Sequence, residues 1–171
     1  MKKDVVQLLA AYNMKVNQDM NVFLSKLTAD QWNHQFGGYY KSISSLANHL
    51  YIADFNWLKR FAKLRHFLFL DDPSFTVDFA LGSAAFSSIE EYLDKRKRLD
   101  HFFLRFAEEV KDDDMEKKLI YKNFKGIEQT KNFGGTILHV FNHQTHHRGM
   151  ISLYLDSLGI DNDYSNLISM V

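Results

Sequence analysis

The chain has 171 residues, of which 46% are hydrophobic and 15% aromatic, and this composition is typical of one globular domain with a sizeable core. Its 21 basic residues balance 21 acidic ones, so the formal net charge of zero offers no electrostatic reason to expect a nucleic-acid partner. The absence of cysteine excludes a thiolate nucleophile, a thiolate metal site and a disulfide scaffold. We therefore predict a single domain over residues 1–171.

The first residues contain no long apolar segment, and no run of 18 or more apolar residues occurs along the sequence. These two observations predict neither a secretory signal nor a membrane-spanning helix. A cytoplasmic location is the default expectation.

Apolar residues recur at three- and four-residue steps over residues 4–27 and again from Ser42 to about His66. Each run predicts a long amphipathic helix. Between them, residues 28–31 have the pattern of a capping box that begins a short second segment, which two glycines at 37 and 38 interrupt. The segment 71–73 contains the one proline and predicts a loop.

Helical periodicity returns near Ser87 and fades at about Val110, which predicts a third long helix. Residues 117–133 flank a Lys-Gly pair and predict either a short hairpin or an extended linker. A last long helix begins at the glycine pair 134–135, runs to about Leu158 and stops at Gly159. Four long helices with longer connections predict an all-α fold, an antiparallel four-helix bundle.

Four of the eight histidines of the chain lie within nine residues of this last helix: His139, His143, His146 and His147. Positions four apart share one face of an α-helix, so His143 and His147 project side by side, as do His139 and His143. A metal site explains this density, because neutral imidazole is the commonest protein ligand for transition metals.

The partner that we predict on another helix is His49, which lies beside the inward-facing Leu46 and Leu50. A lone histidine in such a position is more often a hydrogen-bonded core residue. Bundles, however, build metal sites from facing helices, so we predict that His49, His143 and His147 coordinate a divalent metal. Three neutral imidazoles leave one coordination position open, which is the catalytic pattern. Zinc or nickel suits these ligands, with iron as an alternative.

Metal binding requires neutral imidazoles, and we expect it to weaken as the pH falls through the histidine range near 6.5. The sequence leaves the roles of three further histidines open. His139 is either a fourth ligand or a hydrogen-bonded neighbour, and we favour the neighbour. His146 lies about 100° around the helix from His147 and either lines the pocket or packs against it. His34 lies near a loop, at the mouth of the site or, more simply, on the surface.

Two charged residues flank the predicted ligands. Arg148 either pairs with an acidic residue on another helix or binds an anionic substrate, and we favour the structural pairing. Asp54 comes five residues after His49 and points off its face, so we do not expect it to be a ligand. Metal sites also need acceptors for the second N–H group of each imidazole, and the sequence identifies none.

Two motifs resemble a known family. One is the block from Ser44 to Trp57 that contains His49, and the other is the block from Leu138 to Ile151 that contains His143 and His147. At these residues the chain is similar to the DinB/YfiT-like family of metal-dependent bundle proteins, and the resemblance extends over nearly the whole chain.

The resemblance implies a four-helix bundle with up-down-down-up order and a divalent metal on three histidines, which correspond to His49, His143 and His147. Several relatives are homodimers, so it also implies a homodimer. Some branches of the family transfer low-molecular-weight thiols such as bacillithiol or mycothiol to electrophiles, and a related branch is a thiol-dependent isomerase.

We therefore expect an enzyme that transfers or activates a low-molecular-weight thiol at an open three-histidine site. The alternatives are a metal-dependent hydrolase, a non-catalytic protein that binds metal or a small ligand in a stress response, and a bundle whose histidines are structural. The thiol enzyme, the hydrolase and the non-catalytic binding protein each imply a small-molecule partner rather than a nucleic acid or a membrane. Beyond the metal ligands, the sequence assigns no catalytic residue.

Overall fold

The computed structural model describes residues 1–80 and 82–171. Over these residues the chain forms five α-helices and one hairpin, in the order α1 (Lys3–Leu24), α2 (Ala29–Asn33), α3 (Ile43–Phe61), α4 (Ile89–Glu109), β1 (Lys118–Lys122), β2 (Glu128–Asn132) and α5 (Phe133–Ser157). The four long helices form the predicted all-α bundle, and α2 and the hairpin lie in its connections.

Contacts at the helix ends give the direction of each helix. The backbone N–H of Lys3, which begins α1, donates to the carboxylate of Asp112 just beyond α4, at 2.6 Å, so α1 and α4 are antiparallel. Phe61 at the end of α3 packs on Phe106 near the end of α4 and on Phe133 at the start of α5, with ring centres 4.8 and 5.2 Å apart. Helices α3 and α4 therefore run opposite to α1 and α5, which confirms the up-down-down-up order.

Polar caps define where the helices begin and end. Ser42 and Ser45 form a reciprocal capping box at the start of α3. The side chain of Asn132 accepts a hydrogen bond from the backbone N–H of Gly135 at 2.7 Å and caps α5. Gly159 follows α5 with a φ of 74°, the left-handed conformation that ends many helices. The cap at Asn132 and the turn at Gly159 confirm the predicted limits of α5, the histidine helix.

The connections differ from the sequence prediction in one detail. The capping box of α2, formed by Thr28 and Gln31, lies where it was predicted. The segment predicted as a loop around residue 73 instead contains two single turns of 3-10 helix, Leu68–Asp71 and Pro73–Thr76. The burial of Phe69 in the core explains the difference, because its packing orders a segment whose polar residues predicted a loop.

Residues 117–133 form the hairpin rather than the extended linker. Strand β1 pairs antiparallel with β2, with Lys118 opposite Asn132, and Gly126 turns the chain with a φ of 74°. The hairpin leads directly into α5, where the N–H of Gly134 donates to the carbonyl of Met115 at 3.1 Å. A side chain at position 134 would meet that carbonyl, so glycine allows the histidine helix to begin there.

Two arginines and two aspartates lie inside the bundle. Arg96 on α4 is fully buried and donates to Asp54 on α3 at 2.6 Å and to Asp100 on its own helix at 2.7 Å. The amide of Asn17 on α1 also donates to Asp100, at 2.7 Å. This buried network, centred on Arg96, joins three of the four long helices through charge-assisted hydrogen bonds.

Arg148 on α5 adds the fourth helix to the network. It is 2% exposed and donates to the side-chain oxygens of Asn13 and Asn17 on α1 and of Gln144 on its own helix. Arg148 has the structural role that we favoured, but the prediction of an acidic partner is wrong. Amides connect it indirectly to Asp100, because Asn13 and Asn17 each bond to both residues.

None of the helices that the structure describes is both long enough and apolar enough to span a membrane.

We predict that the substitution Arg96→Met lowers the free energy of unfolding by about 3–5 kcal/mol, because it leaves Asp54 and Asp100 buried without a cation. Burial raises the pKa of the Asp54 carboxyl to about 7, although the attraction of Arg96 opposes this rise. Asp54→Asn should therefore lower the free energy of unfolding at pH 7 by less than Arg96→Met does. Urea unfolding monitored by circular dichroism measures both values. The control Lys15→Met removes an exposed pair with Asp19 and should cost less than about 1 kcal/mol. A cost for Arg96→Met as small as that of the control would contradict the prediction.

Candidate metal centre

The antiparallel packing of α3 against α5 brings the three predicted histidines together. His143 and His147 lie one turn apart on α5, and His49 faces them from α3. The Nε2 atom of His143 lies 3.1 Å from Nε2 of His49 and 3.0 Å from Nε2 of His147. One nitrogen from each residue falls within 4.8 Å of the other two, so all three can contact one ion.

The donor set and its spacing are compatible with a metal ion. Zinc binds imidazole nitrogen at about 2.0–2.1 Å, so tetrahedral nitrogen ligands lie about 3.3–3.4 Å apart. The observed separations of 3.0 and 3.1 Å are close to this value. When each neutral ring carries its proton on Nδ1, the three Nε2 electron pairs are available to one cation.

Burial keeps the three imidazoles neutral. It lowers the pKa of His49, and together with repulsion from neighbouring histidines it lowers the pKa of His143 to about 4 and of His147 to about 3. The ordinary value is near 6.5, so at pH 7 all three residues are in the uncharged form that binds metal. The site is therefore ready for an ion without the prior loss of a proton.

Tyr40 forms one wall of the site, and sequence analysis missed it. Its ring stacks on His49 with centres 4.5 Å apart and meets His147 edge-on at 5.4 Å. The carbonyl of Tyr40 accepts a hydrogen bond from the hydroxyl of Tyr154 on α5 at 2.6 Å, which fixes the loop. Tyr40 lies outside any periodic segment, so no helix or strand pattern could indicate that it faces the histidines.

The other histidines lie outside the group of ligand atoms. His139 is exposed, with its ring centre 6.0 Å from that of His143 and 5.4 Å from that of Trp57, and it forms no hydrogen bond within residues 1–80 and 82–171. His146 is exposed and packs against His147 with ring centres 4.8 Å apart. His34 is exposed and lies edge-on to a neighbouring phenylalanine rather than against the three ligands.

The site holds its imidazoles by packing rather than by hydrogen bonds to their second nitrogens. The Nδ1 atoms of His143 and His147 are buried and have no hydrogen-bond partner among residues 1–80 and 82–171. Asp54 is not a ligand, as predicted, because its carboxylate bonds to Arg96 in the core. Metal-binding histidines usually donate this second N–H to an acceptor, so the aromatic wall of Tyr40 has a larger part in orienting the rings.

Comparison with known proteins places the chain in a family. The sequence model of the DinB family matches residues 1–167. The protein named DinB from Bacillus subtilis (strain 168) is 27% identical over 152 residues, which cover 88% of this chain and 84% of that protein. No solved structure matches the chain. The chain belongs to the DinB family, which confirms the resemblance inferred from the two histidine motifs.

We predict that protein purified without a histidine tag binds about one equivalent of divalent metal, and that His143→Ala loses it, because Nε2 of His143 lies between the other two nitrogens. Elemental analysis after incubation with zinc, nickel or iron salts and desalting measures the content. His139→Ala is the matched control and should retain the metal. Metal-free wild type after all three incubations, or loss in the control, would contradict the assignment.

The lowered pKa values predict a different pH dependence from that of ordinary histidines. In the folded apoprotein, protons compete for His143 and His147 only as the pH approaches about 4, and the pKa of His49 is also lowered, so metal affinity should fall less steeply below pH 6.5 than it would with three ordinary histidines. The unfolded chain takes up protons on these histidines below about pH 6.5, so their contribution to apoprotein stability should decrease as the pH falls from there toward 4, whereas the raised pKa of Asp54 acts in the opposite direction.

Competition with a chromophoric chelator at several pH values measures the affinity, and urea unfolding of the apoprotein measures the stability. Ordinary ligands would each lose about tenfold in affinity per pH unit below 6.5. A loss of affinity between pH 6.5 and 5.5 as large as that expected for three ordinary histidine ligands would contradict the effect of burial.

Proposed function

We propose that this protein is a divalent-metal-dependent enzyme that activates a low-molecular-weight thiol and transfers the thiol to an electrophile. The observation that carries the proposal is the convergence of His49, His143 and His147 without a fourth protein ligand in the described residues. Bound there, a divalent metal would lower the pKa of a thiol at its open position. In the transfer, sulfur bonds to carbon of the electrophile, the leaving group departs with the electron pair, and the thiol proton goes to water.

The residues around the histidines suit this chemistry. Three neutral imidazoles hold an ion without cancelling its charge, so its effect on a bound thiol is undiminished. Tyr40 closes one side of the site with its ring. Burial, with a smaller contribution from Tyr39, raises the pKa of the Tyr40 phenol, so this wall stays uncharged at neutral pH. The chain thereby adds no anion that would compete with a thiolate.

The proposal includes zinc or nickel as the metal, with iron as the alternative, because imidazole suits all three. It also includes a small-molecule thiol substrate, a homodimer and a cytoplasmic location. Resemblance to the DinB/YfiT-like family supports the thiol and the homodimer.

Metal-dependent hydrolysis is the second candidate, and one observation favours it. The exposed ring of His139 lies 6.0 Å from that of His143, centre to centre, and an imidazole at this distance can act on a reacting water as a general base. The two functions make different demands on His139, because only hydrolysis needs a base at that position.

A thiol-transfer assay tests the first candidate. Metal-loaded protein is mixed with monochlorobimane and, in turn, cysteine, glutathione, bacillithiol and mycothiol, and bimane fluorescence reports the formation of the S–C bond. We expect metal-dependent turnover with at least one thiol, a loss of more than about 100-fold in His143→Ala, and retention within about threefold in His139→Ala.

A parallel assay with p-nitrophenyl esters separates the hydrolase. Ester turnover that depends on metal and is lost in His139→Ala, without thiol turnover, would support the second candidate. Metal binding without turnover in either assay would overturn both and leave a non-catalytic binding protein.

A further inference from the structure

We propose that a second ligand site, for a small amphipathic carboxylate, lies in a cavity between α3, α4 and the segment that connects them. The cavity has a volume of about 660 Å³, within the range of small-molecule pockets. None of the three candidate metal ligands lines it. The proposal is therefore independent of the function proposed above.

The interior of the cavity is aromatic. Tyr51 and Phe55 on α3 form its floor, and Phe79 and Phe86 from the connecting segment form a wall. Phe79 meets both floor rings edge-on, with centres 5.9 Å from Tyr51 and 5.1 Å from Phe55, and Phe86 lies 6.3 Å from Tyr51. Aromatic side chains in the lining suit an apolar chain or ring system, which gains by leaving water.

Hydrogen bonds hold the rest of the wall in place. Asn48 on α3 accepts from the N–H of Ala85 and donates to the carbonyl of Ser83, each at 2.8 Å. The ammonium of Lys95 on α4 donates to the carbonyl of Ala85 from the other side. The connecting segment is thus tied to both helices, and the cavity is formed before any ligand enters.

The hydroxyl of Tyr51 lies in this lining without a protein partner in the described residues. Tyr51 is 7% exposed, and its hydroxyl makes no hydrogen bond to any residue within 1–80 or 82–171. Burial also raises the pKa of Tyr51, so the group keeps its proton and can donate. A ligand oxygen in the cavity can accept this hydrogen bond.

The acidic residue at the rim is already neutralised. The carboxylate of Glu91 pairs with Lys95 at 2.7 Å and accepts hydrogen bonds from the N–H and the hydroxyl of Ser87 at 2.7 and 2.8 Å. These contacts satisfy Glu91 and use the charge of Lys95. Neither residue is left to attract a cation or an anion.

Arg98, the other cation at the rim, is paired more loosely than Lys95. Its side chain is 57% exposed and donates to the hydroxyl of Ser74 at 3.0 Å, while its nearest acid, Asp72, lies 3.7 Å away. The Asp72 carboxylate instead accepts from the backbone N–H of Ser74 at 2.9 Å. A guanidinium has five N–H donors and binds carboxylates through two of them. An aromatic interior with an exposed, loosely paired arginine at its rim suits an apolar molecule that carries one carboxylate.

Isothermal titration of the metal-free protein with decanoate and decanol tests the site. We expect decanoate to bind the wild type and to bind Arg98→Gln at least about tenfold more weakly, because a charge-assisted pair is lost. Decanol should bind both proteins equally. The matched control is Lys97→Gln on the same helix, which does not line the cavity and should bind decanoate within about twofold of wild type.

A second variant tests the location of the site. Ala84 is exposed and lines the cavity, so Ala84→Trp should fill it without disturbing the core and abolish the binding of both probes. The variant His143→Ala should bind decanoate like wild type, whatever the outcome of the metal and thiol experiments. Absence of decanoate binding to the wild type, full affinity in Ala84→Trp, or unchanged affinity in Arg98→Gln would each overturn the proposal.

Discussion

The pairing of Arg96 with Asp54 and Asp100 is a buried constraint on how the helices of the bundle can pack. Two aspartates and an arginine have left water, and their desolvation is offset only if the hydrogen bonds are well made, so the helices that carry them tolerate little sliding. Asp54 follows His49 by five residues on α3, and Arg148 directly follows His147 on α5. The network that fixes the register of these two helices therefore also fixes the height at which the histidines meet.

The same burial accounts for the chemistry of the histidines. A partly dry position between α3 and α5 lowers their pKa values and keeps them uncharged at neutral pH. The protein provides no acceptor for the buried Nδ1 atoms of His143 and His147 within the described chain, and Tyr40 covers the rings instead. The site thus combines ligands that favour a cation with a wall that carries no charge of its own.

Helix α3 separates two environments. His49 and Tyr51 are two residues apart and so project about 200° apart around the helix axis. His49 faces α5 and the candidate metal centre, whereas Tyr51 and Phe55 face α4 and the aromatic cavity. Asn48, next to His49, holds the wall of that cavity. One helix therefore positions the two proposed sites, a polar one that suits a cation and an apolar one with an exposed arginine at its rim.

Sequence by itself determined the features that depend on neighbours along the chain. Apolar periodicity located the four long helices, Ser42 and Gly159 marked helix ends through local hydrogen bonding and backbone conformation, and the four-residue step paired His143 with His147. Only the tertiary structure decided that Tyr40 covers the histidines, that amides rather than an acid hold Arg148, and that an aromatic cavity opens beside α4. These contacts join residues far apart in the chain, so they depend on the register of packed helices and the paths of loops, which no local pattern encodes.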